Sequence, residues 1–139
     1  MAVILVIEDN PANMALATFL LQSAGHTVLG ATDAEAGLTI ARAEQPHVVL
    51  MDIQLPGMDG LKATALLKQD EATRAIPVIA LTALAMTGDE ERIRAAGCDG
   101  YIAKPFGYKE FLAIIAAHVV QSSPPPPLPP PLASPLAQS

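Results

Sequence analysis

The sequence predicts an α/β fold in which five parallel strands alternate with five helices. Three observations lead to this prediction: short runs rich in Val and Ile, segments of helical periodicity between them, and capping or breaking residues at the boundaries. The run 48–51 is apolar at every position and ends on Asp52, before the turn at Pro56-Gly57. Such a run is typical of a strand that is buried on both faces of a parallel sheet.

The first third of the chain predicts a strand, a helix and a second strand. Residues 2–7 form the first apolar run, and the second, shorter strand covers 27–29. Between them Asn10 is typical of a helix cap and Pro11 of a first helical position, while Gly25 ends the segment. Apolar residues at helical spacing form the predicted core face of this first helix: Leu16, Phe19 and Leu20.

A second helix is predicted to precede the strand that ends at Asp52. Thr32 begins a segment with capping-box spacing, Thr32-Asp33-Ala34-Glu35, and Pro46 ends it. Its predicted face consists mainly of small residues, namely Ala34, Gly37, Leu38 and Ala41.

The rest of the domain predicts three helices and two strands. The predicted helices are 59–68, 86–96 and a last helix with Phe111, Leu112, Ile115 and Val119 on one stripe; the strands are 78–81 and 101–103. Strict alternation implies right-handed crossovers and helices on both faces of the sheet. The size fits a flavodoxin-like, doubly wound (βα)5 fold with strand order 2-1-3-4-5.

Composition limits the kinds of function. The chain has 139 residues, of which 51% are hydrophobic, a net charge of −6 and a sequence pI near 4.8. The acidic balance argues against a nucleic-acid partner, because no basic stripe could neutralise phosphates. Cys98 is the only cysteine, so no intramolecular disulfide can form, and no apolar stretch suggests membrane insertion. We therefore expect a cytoplasmic protein.

The chain divides into a domain and a tail. Residues 1–120 carry the alternating pattern, whereas residues 121–139 have no charge and hold eight of the thirteen prolines. We expect the tail to be disordered or to act as a linker, with polyproline II character at 124–131, and we favour this over docking in an aromatic groove on a partner.

Acidic residues follow two strands that this strand order makes neighbours. Glu8 and Asp9 follow the first strand, and Asp52 ends the third, so the three carboxylates should meet at the topological switch point. Two such charges 4 Å apart repel by roughly 4 kcal/mol, so the cluster either holds protons or binds a cation. We favour a cation, and an all-oxygen ligand set favours Mg²⁺.

Thr82 and Lys104 follow the fourth and fifth strands and could bind an anion beside the acids. A simpler reading is that Glu8, Asp9 and Asp59 only cap helices; for Asp59 we adopt it. Likewise His26, His47 and His118 are expected in surface or capping roles, and Cys98 in the core rather than as a redox centre.

Four motifs make residues 1–120 similar to the receiver domains of two-component response regulators. They are Glu8-Asp9-Asn10, the segment from Met51 through Asp52 to Gly60, Leu81-Thr82-Ala83, and Tyr101-Ile102-Ala103-Lys104-Pro105. The segments 85–94 and 97–98 further resemble the DivK-like subgroup of single-domain regulators.

The resemblance implies that Asp52 accepts a phosphoryl group from a sensor histidine kinase or a histidine phosphotransfer protein. It also implies that Glu8, Asp9, Asp52 and the main-chain carbonyl of Gln54 bind Mg²⁺. Lys104 would contact the phosphate. Thr82 would move towards it and Tyr101 would turn inward, changing a surface that a downstream effector protein reads.

Three alternatives remain open. The chain could be a receiver fragment of a longer regulator or hybrid kinase, a pseudo-receiver that never takes phosphate, or a metal-dependent phosphohydrolase. The last is weakened by the lack of a second acid soon after Asp52. Apart from self-catalysed phosphotransfer and dephosphorylation, we expect no enzymatic activity.

Overall fold

A computed structural model describes residues 2–55, 57–82, 87–103 and 107–122. Five strands alternate with five helices: β1 (Val3–Ile7), α1 (Pro11–Ser23), β2 (Thr27–Ala31), α2 (Ala34–Glu44), β3 (Val48–Asp52), α3 (Gly60–Gln69), β4 (Val78–Thr82), α4 (Thr87–Ala95), β5 (Gly100–Ala103) and α5 (Tyr108–Ser122). The sheet is parallel, with the order β2-β1-β3-β4-β5. The predicted fold class and strand order are therefore confirmed.

The sheet is covered on both faces, as its continuous apolar runs predict. All five residues of β3 and all five of β4 are buried. One apolar cluster joins the sheet to α2, α3 and α4, and the other joins it to α1 and α5. Among the described residues, no helix is both long and apolar enough to cross a bilayer.

The predicted core face of α1 is wrong at two of its three positions. Leu20 is buried, but Leu16 is 43% and Phe19 is 66% exposed, and the helix buries Ala17 and Leu21 instead. The helix is apolar almost all round, so periodicity alone could not select the face that packs on the sheet. The small side chain of Ala17 allows α1 to pack closely on the sheet, whereas the larger ring of Phe19 points outward.

Two predicted boundaries also differ. The N-cap of α2 is Asp33 rather than Thr32, and the Asp33 carboxylate accepts a hydrogen bond from the N–H of Ala36 at 2.8 Å. Both residue types cap helices well, so sequence could not separate them. At the other end of the domain α5 continues to Ser122, two residues past the predicted end of the domain at residue 120, because no proline precedes Pro124 in this segment.

Other local predictions are confirmed. Ala34, Gly37 and Ala41 form the buried small-residue face of α2, and an added Cβ at Gly37 would lie 2.3 Å from Ile7 Cδ1. Cys98 is 9% exposed within the core, and burial raises the pKa of its thiol. Cys98 therefore serves as a small apolar residue.

Candidate functional site

The site lies where β1 and β3 end side by side. Ile7 pairs with Met51 in the parallel register, and Glu8 and Asp52 are the next residues of their respective chains. The carboxyl ends of the two strands therefore deliver two acids to the same edge of the sheet, as strand order 2-1-3-4-5 requires. Asp9 follows at once and adds a third acid.

The three predicted carboxylates do come together. Glu8, Asp9 and Asp52 each offer one carboxylate oxygen, and these oxygens all lie within 4.8 Å of one another. Glu8 is 1% and Asp52 is 3% exposed, whereas Asp9 is open to solvent. Two acids held away from water beside a third favour a bound cation, because their mutual repulsion is poorly screened there.

Backbone amides fix the orientation of the two buried acids. The N–H of Asn10 donates to Glu8 Oε2 at 3.2 Å, and the N–H of Gln54 donates to Asp52 Oδ1 at 2.9 Å. Asn10 in turn caps α1 by accepting hydrogen bonds from Ala12 and Asn13. The short turn before α1 thus orients the Glu8 carboxylate, and the short turn after β3 orients that of Asp52.

The acids open into a cleft of about 450 Å³. Its lining consists of polar or turn-forming residues from the ends of β1 and β3: Glu8, Asp9, Asn10, Pro11, Asn13, Asp52 and Gln54. Gln54 was predicted from resemblance to contribute a carbonyl, and it lies at this cleft. Asn13 was not predicted, although its position one helical turn after Asn10 was a usable signal.

The donor set fits Mg²⁺. All three side chains are oxygen ligands, and three carboxylates in an open cleft leave room for waters and a phosphate oxygen. Glu8, Asp9 and Asp52 are therefore suited to this hard cation.

Thr82 and Tyr101 lie on the neighbouring strands. Thr82 is the last residue of β4 and is 1% exposed; Asp52 pairs with Leu81, so Thr82 is one position further towards the acidic edge. Tyr101 is half-buried on β5, where it pairs with Ala80 and packs against the core. Tyr101 is thus set back from the acids, behind Thr82.

Lys104 lies outside the described residues, as does Pro105. Asp59 is described, and it is the N-cap of α3: its Oδ1 accepts a hydrogen bond from the N–H of Lys62 at 2.8 Å. The capping role that we adopted for Asp59 is confirmed.

Gly60 supports the site in a way that sequence reasoning missed. An added Cβ at Gly60 would lie 2.2 Å from the carbonyl oxygen of Asp52 and 2.6 Å from Ile53 Cα. The first residue of α3 therefore packs directly on the backbone that carries Asp52. A glycine just after a helix cap was the available signal, because a first helical position seldom needs one.

Comparison with known proteins agrees with this geometry. The response regulator receiver domain family matches residues 4–116. The polar-differentiation response regulators DivK of Brucella ovis and Brucella abortus are 44% identical over 116 residues, which cover 84% of this chain and 94% of theirs.

Solved structures show the same likeness. The receiver domain of a sensor histidine kinase from Pseudomonas aeruginosa, described with a magnesium ion coordinated in its active-site cleft, aligns with a TM-score of 0.80 and 36% identity, covering 86% of this chain and 98% of that one. A CheY-like receiver domain from Methanospirillum hungatei aligns with a TM-score of 0.80 and 25% identity, covering 88% and 96%. Fold, strand-end acids and sequence likeness agree, and the chain belongs to the response regulator receiver domain family.

Proposed function

We propose that this receiver is phosphorylated on Asp52 by a sensor histidine kinase or a histidine phosphotransfer protein. A carboxylate oxygen of Asp52 forms the new bond to phosphorus as the phosphorus–nitrogen bond of a phosphohistidine breaks. The imidazole leaves with the electron pair and takes up a proton. The observation that carries this proposal is the convergence of Glu8, Asp9 and Asp52 within 4.8 Å at the open edge of the sheet.

The acidic cluster would hold Mg²⁺ through Glu8, Asp9, Asp52 and the carbonyl of Gln54. The magnesium ion described in the P. aeruginosa receiver supports this assignment. When bound, the cation supplies positive charge that offsets the carboxylates and the phosphoryl oxygens. The amide of Gln54 keeps Asp52 oriented for attack through its 2.9 Å hydrogen bond.

Thr82 and Lys104 would bind the phosphoryl oxygens, since Thr82 is the last residue of β4 and Lys104 is the next residue after β5. Phosphoryl transfer needs positioning and charge stabilisation more than covalent help, so a hydroxyl and an ammonium suffice. Tyr101 lies behind Thr82 and would transmit the change to the face formed by α4, β5 and α5. A downstream effector protein in the cytoplasm would read that face. In this proposal the chain is a phosphoacceptor whose only chemistry is its own phosphotransfer and dephosphorylation.

The proposal is tested by incubating the protein with Mg²⁺ and acetyl phosphate and measuring intact mass. We expect one added phosphoryl group on the wild type and none on Asp52→Asn. Asp59→Asn is the matched control, because Asn caps a helix about as well as Asp and Asp59 is outside the acidic cluster. Phosphate on Asp52→Asn, or equal loss in both variants, would contradict the assignment.

Metal binding separates this proposal from an interaction-only receiver. Titration calorimetry with Mg²⁺ should give binding by the wild type and a strong reduction in Asp9→Asn. Negligible binding by the wild type would favour the alternative in which the chain never takes phosphate.

A further inference from the structure

An apolar groove lies between α1 and the start of α5, away from the acidic cluster. Its volume is about 560 Å³, and Leu16, Phe19, Tyr108 and Leu112 are among its lining residues. None of the described residues that line it carries a charge. The groove therefore suits an uncharged, apolar ligand.

The exposure of these side chains is concentrated in one place. Among the described residues four large apolar side chains are exposed, and three of them line the groove: Leu16 at 43%, Phe19 at 66% and Tyr108 at 58%. The fourth is Leu66 on α3, at 38%. Scattered apolar residues are ordinary on a surface, but three around one groove are typical of a docking site.

The C-terminal segment has the chemistry that such a groove would recognise. Residues 124–131 hold seven prolines and Leu128, and no residue from 123 to 139 is charged. Proline-rich segments favour the polyproline II conformation, and they bind to grooves lined by aromatic rings because little conformational entropy is lost. Phe19 and Tyr108 supply two such rings.

The segment is also long enough to reach. At about 1.5 Å per residue along α5, Leu112 lies roughly 15 Å and Tyr108 roughly 21 Å back from Ser122. At about 3.1 Å per residue, an extended polyproline II segment puts Leu128 roughly 19 Å beyond Ser122. A chain that turns sharply back after α5 would therefore bring Leu128 to the level of Leu112, and one that uses about four residues in the turn would bring Leu132 there.

We propose that the proline-rich segment 124–136 of this chain docks on its own domain, in the apolar groove between α1 and α5. The segment begins two residues after the helix whose first turns line the groove. A short tether gives an effective concentration of the order of millimolar, so weak contacts are sufficient. A second copy, by contrast, would have to be recruited from solution.

Paramagnetic relaxation enhancement on the full chain tests this proposal. A nitroxide is attached at Ser134→Cys in a Cys98→Ala background, and amide signals are recorded at low protein concentration. We expect selective broadening of the amides of Phe19 and Leu112. The amide of Leu66, an exposed apolar residue outside the groove, should keep its full intensity.

Two variants, a double substitution in the groove and a single control substitution outside it, distinguish docking from chance proximity. Phe19→Ser combined with Tyr108→Ser should abolish the broadening without unfolding the domain, because both side chains are more than half exposed. Leu66→Ser, the matched control, should leave it unchanged. Broadening that persists in the double variant, or that is equal at Leu66, would overturn the proposal.

Two further measurements complete the test. Mixing spin-labelled, unenriched chains with unlabelled, nitrogen-15-enriched chains should give no broadening; broadening in that mixture would assign the groove to a second copy. In the chain with its native Cys98, Leu128→Ser should shift the Tyr108 and Phe19 signals and leave the acidic-cluster signals in place. Absence of any shift at the groove would also refute docking.

Discussion

The two ends of the parallel sheet use polar side chains in opposite ways. At the amino end His26 directly precedes β2, and its Nδ1 accepts a hydrogen bond from the N–H of Ala2 at 3.2 Å. His47 directly precedes β3, and its Nδ1 accepts from the N–H of Val3 at 3.0 Å. Each histidine therefore satisfies a backbone donor at the start of β1, the neighbouring strand.

A similar arrangement occurs at the amino ends of β4 and β5, towards the opposite edge of the sheet. Asp99 directly precedes β5, and its Oδ2 accepts a hydrogen bond from the N–H of Val78, the first residue of β4, at 2.8 Å. Lys68 Nζ donates to the same oxygen at 2.9 Å and to the carbonyl of Ile76 at 2.9 Å. A charge at the amino end thus meets both an opposite charge and a backbone donor.

The carboxyl end instead collects like charges. Glu8, Asp9 and Asp52 bring three carboxylates together. Hydrogen bonds from the backbone amides of Asn10 and Gln54 orient two of them, Glu8 and Asp52. One end of the sheet therefore pairs its charged side chains with partners, whereas the other brings like charges together at a cost in stability.

The largest expected effect is a cation-dependent gain in stability. If the acidic cluster binds Mg²⁺, then Mg²⁺ at 100 times its dissociation constant should stabilise the fold by about 2.7 kcal/mol, measured by chemical denaturation with and without EDTA. Asp9→Asn should stabilise the metal-free protein and lose most of this gain, because it removes one of the like charges. Asp99→Asn, at the other end of the sheet, should retain the gain; equal losses in the two variants would contradict the comparison.

Gly60→Ala should destabilise the carboxyl end of the sheet through a steric clash, without changing its charge. The new Cβ would lie 2.2 Å from the Asp52 carbonyl oxygen, so α3 or the chain after β3 must shift. Overpacking of this kind costs about 1–3 kcal/mol, and we also expect slower phosphorylation by acetyl phosphate. At Gly30 an added Cβ would be in ordinary contact with the Met14 side chain, at 3.5 Å from Cε, so Gly30→Ala is the control and should lower neither.

Asp99→Ala should destabilise the amino end of the sheet without changing the rate of phosphorylation at the carboxyl end. The variant leaves the N–H of Val78 and the ammonium of Lys68 without their shared acceptor. Because the Asp99 side chain is 41% exposed, we expect a loss of about 1–2 kcal/mol in the free energy of unfolding. The control Arg42→Ala, which removes the exposed ion pair with Asp70, should cost less. Slower phosphorylation of Asp99→Ala would show that the two ends are coupled.

The sequence predicts the carboxyl end better than the amino end, and the reason is physical. Parallel strands must deliver their last residues to one edge, so apolar runs ending on Glu8 and Asp52 indicate a shared site once the strand order is known. At the amino end the partners of His26 and His47 are backbone donors, which any residue type can supply. Sequence therefore predicts that these histidines are not catalytic, but not what they bind.

The packing of individual side chains could not be predicted from the sequence, because it depends on contacts between elements. The outward direction of Phe19 and the closeness of Gly60 to Asp52 depend on which helix face meets the sheet and how tightly. An apolar helix such as α1 offers several faces of similar hydrophobicity, and contact with the sheet selects among them. Phe19, which periodicity assigned to the core, is thus 66% exposed and lines the groove between α1 and α5.

The smallest expected effect is a pH dependence confined to the amino end. Burial lowers the pKa of His26 from 6.5, so near that pH the unfolded chain binds more protons than the folded one. Stability should therefore fall as pH drops through about 6.5, until His26 is also protonated in the folded state and its Nδ1 can no longer accept from Ala2. His26→Asn should remove this part of the pH dependence, measured as the denaturant midpoint between about pH 7.5 and pH 5.5. The difference between wild type and variant should be the same with and without Mg²⁺, because the cation would bind at the opposite end; a difference that changes with Mg²⁺ would mean that the two ends do not act independently.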